Sequence, residues 1–155
     1  MPKYGASSDA FTTPITTADT QVALDANAAG EGGEIIELLM TGSGTTTAAD
    51  TQHRAQLAMC TFATTGTGSA QTAEPFDQKS QAAELLSTID FSVEPTTLGT
   101  VFQVLFGFNQ RGGMRWAVPR GEGVVVHNAE TERGACWQVV SAAAGATDAH
   151  VHWWE

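Results

Sequence analysis

The stretch that most constrains this chain is Thr100–His127, TVFQVLFGFNQRGGMRWAVPRGEGVVVH. Phe102, Val104, Phe106 and Phe108 fall on alternate positions. A half-buried strand requires that period of two, because successive side chains point to opposite faces. Val101, Gln103, Leu105, Gly107 and Asn109 form the other face, a mixture suited to partial cover. Gln110-Arg111-Gly112-Gly113 offers the residues of a tight reversal. Met114, Trp116 and Val118 resume the alternation until Pro119 removes an N–H donor. Arg120–Gly123 turns the chain again, and Val124-Val125-Val126 begins a third strand. The stretch predicts two strands joined by a glycine hairpin turn, set in a β-sandwich core.

The same alternation recurs along the chain. In Glu34–Thr41, Ile36, Leu38 and Met40 share one face against Ile35, Glu37 and Leu39. Gln52–Ala63 sets Leu57, Met59 and Thr61 against Ala58, Cys60 and Phe62, and Thr88–Val93 turns Ile89, Phe91 and Val93 inward. Cys136–Ala142 and His150–Glu155 close the series, with Trp137, Val139, Val151 and Trp153 on core faces and Trp154 turned the other way. Asp77–Leu86 is the one expected helix, with Asp77 as its N-cap. Many short strands and at most one helix predict an all-β, antiparallel two-sheet sandwich of jelly-roll type.

Residues 1–32 read differently. Thr12, Thr13, Thr16, Thr17 and Thr20 alternate with small residues, and Tyr4, Phe11, Ile15, Val22 and Leu24 are spaced like anchors on an extended segment. Such a segment buries little of its own surface, so it is expected to order as an arm against a partner. Residues 33–155 form the single expected domain, and Gln21–Asp25 is a candidate for a first short strand.

Charged residues make up only 15% of the chain, and 17 acidic side chains outweigh 7 Lys and Arg to give a net charge of −10. Phosphate recognition needs a basic stripe, so nucleic acid is excluded as a partner, and an anionic membrane surface with it. No apolar run approaches the roughly 18 residues of a membrane span. Met1–Gly5 lacks the apolar core of a secretion signal, so synthesis in the cytosol is expected unless the chain leaves in a particle. Cys60 and Cys136, 76 positions apart in apolar runs, are expected as two buried, reduced thiols.

Catalytic signatures are thin. Gly42–Thr47 lacks the Gly-Lys-Ser/Thr ending of a phosphate loop, and Gly-x-Ser-x-Gly is absent. Glu34/Glu37, Asp90/Glu94 and Glu130/Glu132 are sequence neighbours at turns, which usually form solvated faces. His150 and His152 share a strand face, and a metal site would need His127 or Asp148 to complete it. No cofactor, metal or catalytic residue is expected. Arg111, Arg115 and Arg120 gather three of the seven cations around one turn region, a candidate docking patch for carboxylates on a neighbouring subunit.

The polar start Met-Pro-Lys-Tyr, the strand Gly33–Thr41 with its Thr/Ser-rich loop, the run Arg115–Val125 (RWAVPRGEGVV) and the ending Trp153-Trp154-Glu155 together resemble the head decoration (cement) proteins of tailed bacteriophages. The resemblance implies a non-enzymatic β-sandwich subunit, commonly a homotrimer, on the outer surface of a phage capsid. It would be made in the host cytoplasm, would bind the major capsid protein and would stabilise contacts between capsid subunits. Tyr4, Phe11, Ile15, Arg111, Arg115, Arg120 and Trp154 are the expected interface residues. The alternative is a jelly-roll component of the tail, baseplate or fibre, acting as connector or carbohydrate-binding adhesin.

Overall fold

The computed structural model describes residues 1–11, 18–26, 32–42, 50, 52–61, 66–127, 133–141 and 147–155, and of the side chains within these strands those of Asp9, Ala10, Phe11, Arg133 and Ser141 fall outside the description. The alternating segments form strands β1 (Lys3–Phe11), β2 (Asp19–Ala26), β3 (Gly33–Gly42), β4 (Gln52–Thr61), β5 (Thr67–Gln71), β6 (Glu74–Pro75) and β7 (Leu85–Val93). These are followed by β8 (Thr96–Thr97), β9 (Val104–Asn109), β10 (Gly113–Ala117), β11 (Val124–Val126), β12 (Arg133–Ser141) and β13 (Thr147–Trp154). All pairings between them are antiparallel.

Eight of these strands carry the topology. One sheet runs β1-β13-β3-β10 and the other β2-β12-β4-β9. Consecutive members of the set β1, β2, β3, β4, β9, β10, β12 and β13 follow the two-sheet, double Greek-key path of a jelly roll. The expected fold class is therefore found. β6 extends the first sheet beside β1, and β11 continues the edge of β3 where β10 stops. β7 and β5 widen the second sheet beyond β2, while β8 shares with β9 the edge of β4 that faces away from β12.

The core lies between the sheets and is built on aromatic side chains. Trp137 and Trp153 are both 0% exposed, as their strand parity requires. Trp137 donates its indole N–H to the Leu39 carbonyl of the opposite sheet at 3.0 Å. Trp153 stacks on Tyr4 with ring centroids 5.9 Å apart, and the Tyr4 hydroxyl donates to the Gln81 carbonyl. Val104 and Phe108 are buried in the same cluster, as expected, but Phe106 opens to solvent at the sheet edge and Phe102 lies half-buried ahead of β9. Trp116 is half-buried on edge strand β10, whose pairing among the described residues is with β3 alone.

The structure corrects several expectations, each for a tertiary reason. Lys3–Phe11 is an interior strand rather than an arm, held between β13 and β6, and β2 sits at the centre of the other sheet. The sparse large residues of this segment are core residues: Tyr4, Val22 and Leu24 are buried. Over 77–86 there is no helix, because Asp77 uses its carboxylate and carbonyl to cap a single turn at Lys79 and Ser80 before β7 begins. A bulge between His152 and Trp153 skips one residue of β3, so Ile35 rather than Ile36 joins Leu38 and Met40 in the core cluster. β9 and β10 are not a hairpin, because the turn between them passes from one sheet to the other.

Cys60 and Cys136 are joined in a disulfide, not reduced. Their register explains it: Gly134 faces Cys60 and Cys136 faces Ala58, so the two cysteines are diagonal neighbours on adjacent strands with Cα atoms 6.3 Å apart. A gap of 76 residues in sequence conceals this. The bond lies on the outer face of the sheet, where Ala23 and Phe91 close over it. Phe91 reaches it because Asp90 adopts a positive φ of 53° and ends the pairing of β7 with β2. The chain then runs over β2 and β12 to the far edge of β4, where Thr96 meets Thr61. That kink also turns Val93 out to 49% exposure, against the inward expectation.

His53 is buried on the core side of β4, its ring 5.3 Å from Phe108 and neither nitrogen hydrogen-bonded among the described residues. Burial pushes its pKa below the ordinary 6.5. Its contribution to stability is therefore present above about pH 6.5 and declines as pH falls below it.

Three outcomes follow for this fold. Deletion of residues 2–11 removes an interior strand and should abolish the cooperative thermal transition followed by circular dichroism. Trp153→Ala should cost about 3–5 kcal/mol in denaturant titrations. Replacing both cysteines by alanine should cost about 2–4 kcal/mol, with the fold retained.

Candidate interaction surfaces

The outer face of the first sheet carries a charged row built by cross-strand register. Glu37 on β3 faces His152 on β13 and Ala117 on β10. Its carboxylate accepts from Arg115 Nε at 2.6 Å, pairs with His152 Nδ1 at 2.9 Å and lies 3.4 Å from Lys3 Nζ. Hydrogen bonding from His152 and Arg115 outweighs the opposing effect of burial and holds the Glu37 carboxyl down at about 2. The stability it contributes is thus fully present above its ordinary 4.5 and lost as pH falls through about 2.

Beyond Lys3 this row ends in aromatic groups. Phe76 follows β6 and is 58% exposed. Its ring takes Lys3 Nζ over one face at 4.6 Å and meets the His152 ring edge-on at 4.9 Å. Gly5 leaves room for this pair, since an added Cβ would sit 3.1 Å from His152 and 3.2 Å from Phe76. Trp154, one residue past the buried Trp153, pairs in register with Lys3 on one side and Glu34 on the other. It is half-buried and borders two grooves of about 650 and 430 Å³ at this end of the sandwich.

The expected interface residues do not form one patch. Arg111 is exposed at the tip of the β9–β10 turn, which Asn109 shapes by accepting from the Arg111 amide and donating to Asp50. Arg115 lies on edge strand β10 and is already engaged by Glu37. Arg120 projects from the opposite turn beside Met1, in the smaller groove with Trp154. That turn is fixed by Glu34, whose Oε1 accepts from the amides of Gly121 and Gly123 at 2.7 Å each, and by the positive φ of Gly121. Tyr4 is a core residue with no exposed surface. Phe11 ends β1 opposite Thr147, and Ile15 lies outside the described residues.

The histidines separate as well. His150 and His152 share the outer face of β13, while His127 lines the smaller groove. Among the described residues no three His, Cys, Asp or Glu side chains gather in a metal-binding arrangement.

Two features escaped the sequence reading. The first is an exposed apolar border along β9 and the segment leading into it, outside β4: Leu98 (38%), Val101 (77%), Leu105 (51%) and Phe106 (39%). Hydrogen bonds from the Leu98 and Gln103 amides to Met59 and Leu57 seat this segment against β4 before β9 begins. Val101 and Leu105 lie on the face that the alternation had marked as only partly covered, which was the available signal.

The second is a carboxyl pair at the crossing over the second sheet. Asp19 on β2 is pushed up to about 7 by burial and by repulsion from Glu94, against a weaker opposing bond from Gln21. Burial also raises Glu94, although the Thr20 amide donates to it at 2.9 Å. No sequence signal links residues this far apart.

Comparison with protein-family models, with curated proteins and with solved structures finds no match to this chain.

The pH dependence of the carboxyl pair can be measured. Because the folded-state value of Asp19 lies above its ordinary 3.8, its contribution is complete below that pH and lost as pH rises through about 7. Asp19→Asn should raise the melting temperature at pH 8 and flatten its decline between pH 4 and 7. An unchanged pH profile would show that the Asp19 carboxyl is not raised in the folded protein.

Proposed function

We propose that the chain is a structural, non-enzymatic virion protein, a decoration subunit that binds the outer surface of a phage capsid and stabilises contacts between major capsid proteins. The observation that carries the reading is the apolar border of Leu98, Val101, Leu105 and Phe106. Leu105 and Phe106 lie on edge strand β9, whose pairing among the described residues is with β4 alone, and Leu98 and Val101 lie on the segment that leads into it. Exposed apolar groups on a sheet edge favour association with another protein, through both side-chain burial and strand pairing. In this proposal the border makes the subunit contact of a homotrimer and the Arg120 turn faces the capsid.

Two further properties support it. A net charge of −10 suits the outside of a shell better than a surface turned toward packaged nucleic acid. The buried disulfide suits a protein that works outside a reducing cytosol, as virion-surface proteins do. Jelly-roll architecture serves many functions and by itself selects none.

The test uses Val101→Asp with Leu105→Asp. Both side chains are solvent-exposed, so the variant should keep its fold and melt within a few degrees of the parent. It should lose self-association in sedimentation analysis and should not cosediment with undecorated capsids. Parental binding by the folded variant would overturn the proposal.

A further inference from the structure

We propose that the larger groove at the Trp154 end is a binding site for a neutral oligosaccharide. The site is separate from the apolar border on β8–β9 and does not depend on the decoration role.

The floor of the site is a mounted row. Phe76, Lys3 and Trp154 lie side by side across the end of β6, β1 and β13. Each is held: Phe76 by Lys3, by His152 and by the hydrogen bond its backbone N–H donates to the Lys3 carbonyl, and Lys3 by Glu37. Trp154 is held by strand pairing on both sides. Two aromatic rings on a fixed support offer flat apolar surfaces at low ordering cost, and the C–H face of a pyranose stacks on such a surface.

The rim supplies the complementary chemistry. Asp77, Ser80 and Gln81 border the groove with a carboxylate, a hydroxyl and an amide. These groups both donate to and accept from vicinal hydroxyls. A volume of about 650 Å³ falls within the range of small-ligand sites.

Two arguments set the ligand class. A strand-adding peptide would need an open strand edge, and a helical one a row of apolar pockets. The edge here is two-residue β6, whose Pro75 has no N–H to give, and the rim is polar. An acidic glycan would meet a protein of net charge −10, and Lys3 is already paired with Glu37. A neutral hexose or N-acetylhexosamine chain fits both conditions.

The experiment presents the full chain, fluorescently labelled, to an array of immobilised neutral oligosaccharides, then titrates the best binder by calorimetry. Binding should appear for at least one neutral glycan. Phe76→Ala and Trp154→Ala should each weaken it by roughly tenfold or more. Should Trp154→Ala also lower the melting temperature, Gln81→Ala carries the test, since that side chain is exposed and takes no part in capping the turn. The proposal falls if no neutral glycan is retained above the level of the Phe76→Ala variant, or if binding survives these substitutions. It falls equally if acidic glycans or peptides bind the groove in preference. The Val101→Asp, Leu105→Asp protein should bind the glycan normally, which separates this site from the association surface.

Discussion

The structure depends on the contact between the two sheets through Trp137, Trp153 and Tyr4. These large side chains set the sheet separation, and the indole N–H of Trp137 bonds to a backbone carbonyl of the opposite sheet. A jelly roll alternates its strands between sheets, so few local pairings stabilise either half alone. Inter-sheet packing must therefore supply the cooperativity. This is why β1 and β2, with few large residues, are integral: each contributes to the shared core from one side.

Both outer faces follow from that constraint. Once alternate residues are committed inward, the outward ones are left to chemistry. On the first sheet they form the Glu37-centred row ending in Phe76 and Trp154. On the second, the chain itself covers them. Asp90 breaks the ladder, Phe91 closes over the disulfide, and Glu94 is brought against Asp19. The cost of that crossing is a pair of partly desolvated carboxyls. Gln56, Gln138 and Thr20, all buried, bond to one another in a row across the strands of the same sheet.

The apolar border and the aromatic groove lie on different elements. One is an edge strand that pairs, among the described residues, with β4 alone and is suited to another protein. The other is a polar-rimmed trough at the end of the first sheet.

Sequence alone determined the period of the strands, hence the all-β class, the jelly-roll expectation and the inward positions of Trp137, Val139, Val151 and Trp153. It also determined the outward turn of His152 and Trp154, because parity along one strand is a local property. Only the tertiary structure decided which strands are neighbours. That choice joined Cys60 to Cys136, converted the expected arm into two strands and shifted Ile35 inward at a bulge. It placed β9 and β10 in different sheets and dispersed Arg111, Arg115 and Arg120. A backbone period constrains where a side chain points relative to its own strand. Register between strands far apart in sequence is set by packing of the whole core, and no single segment encodes it.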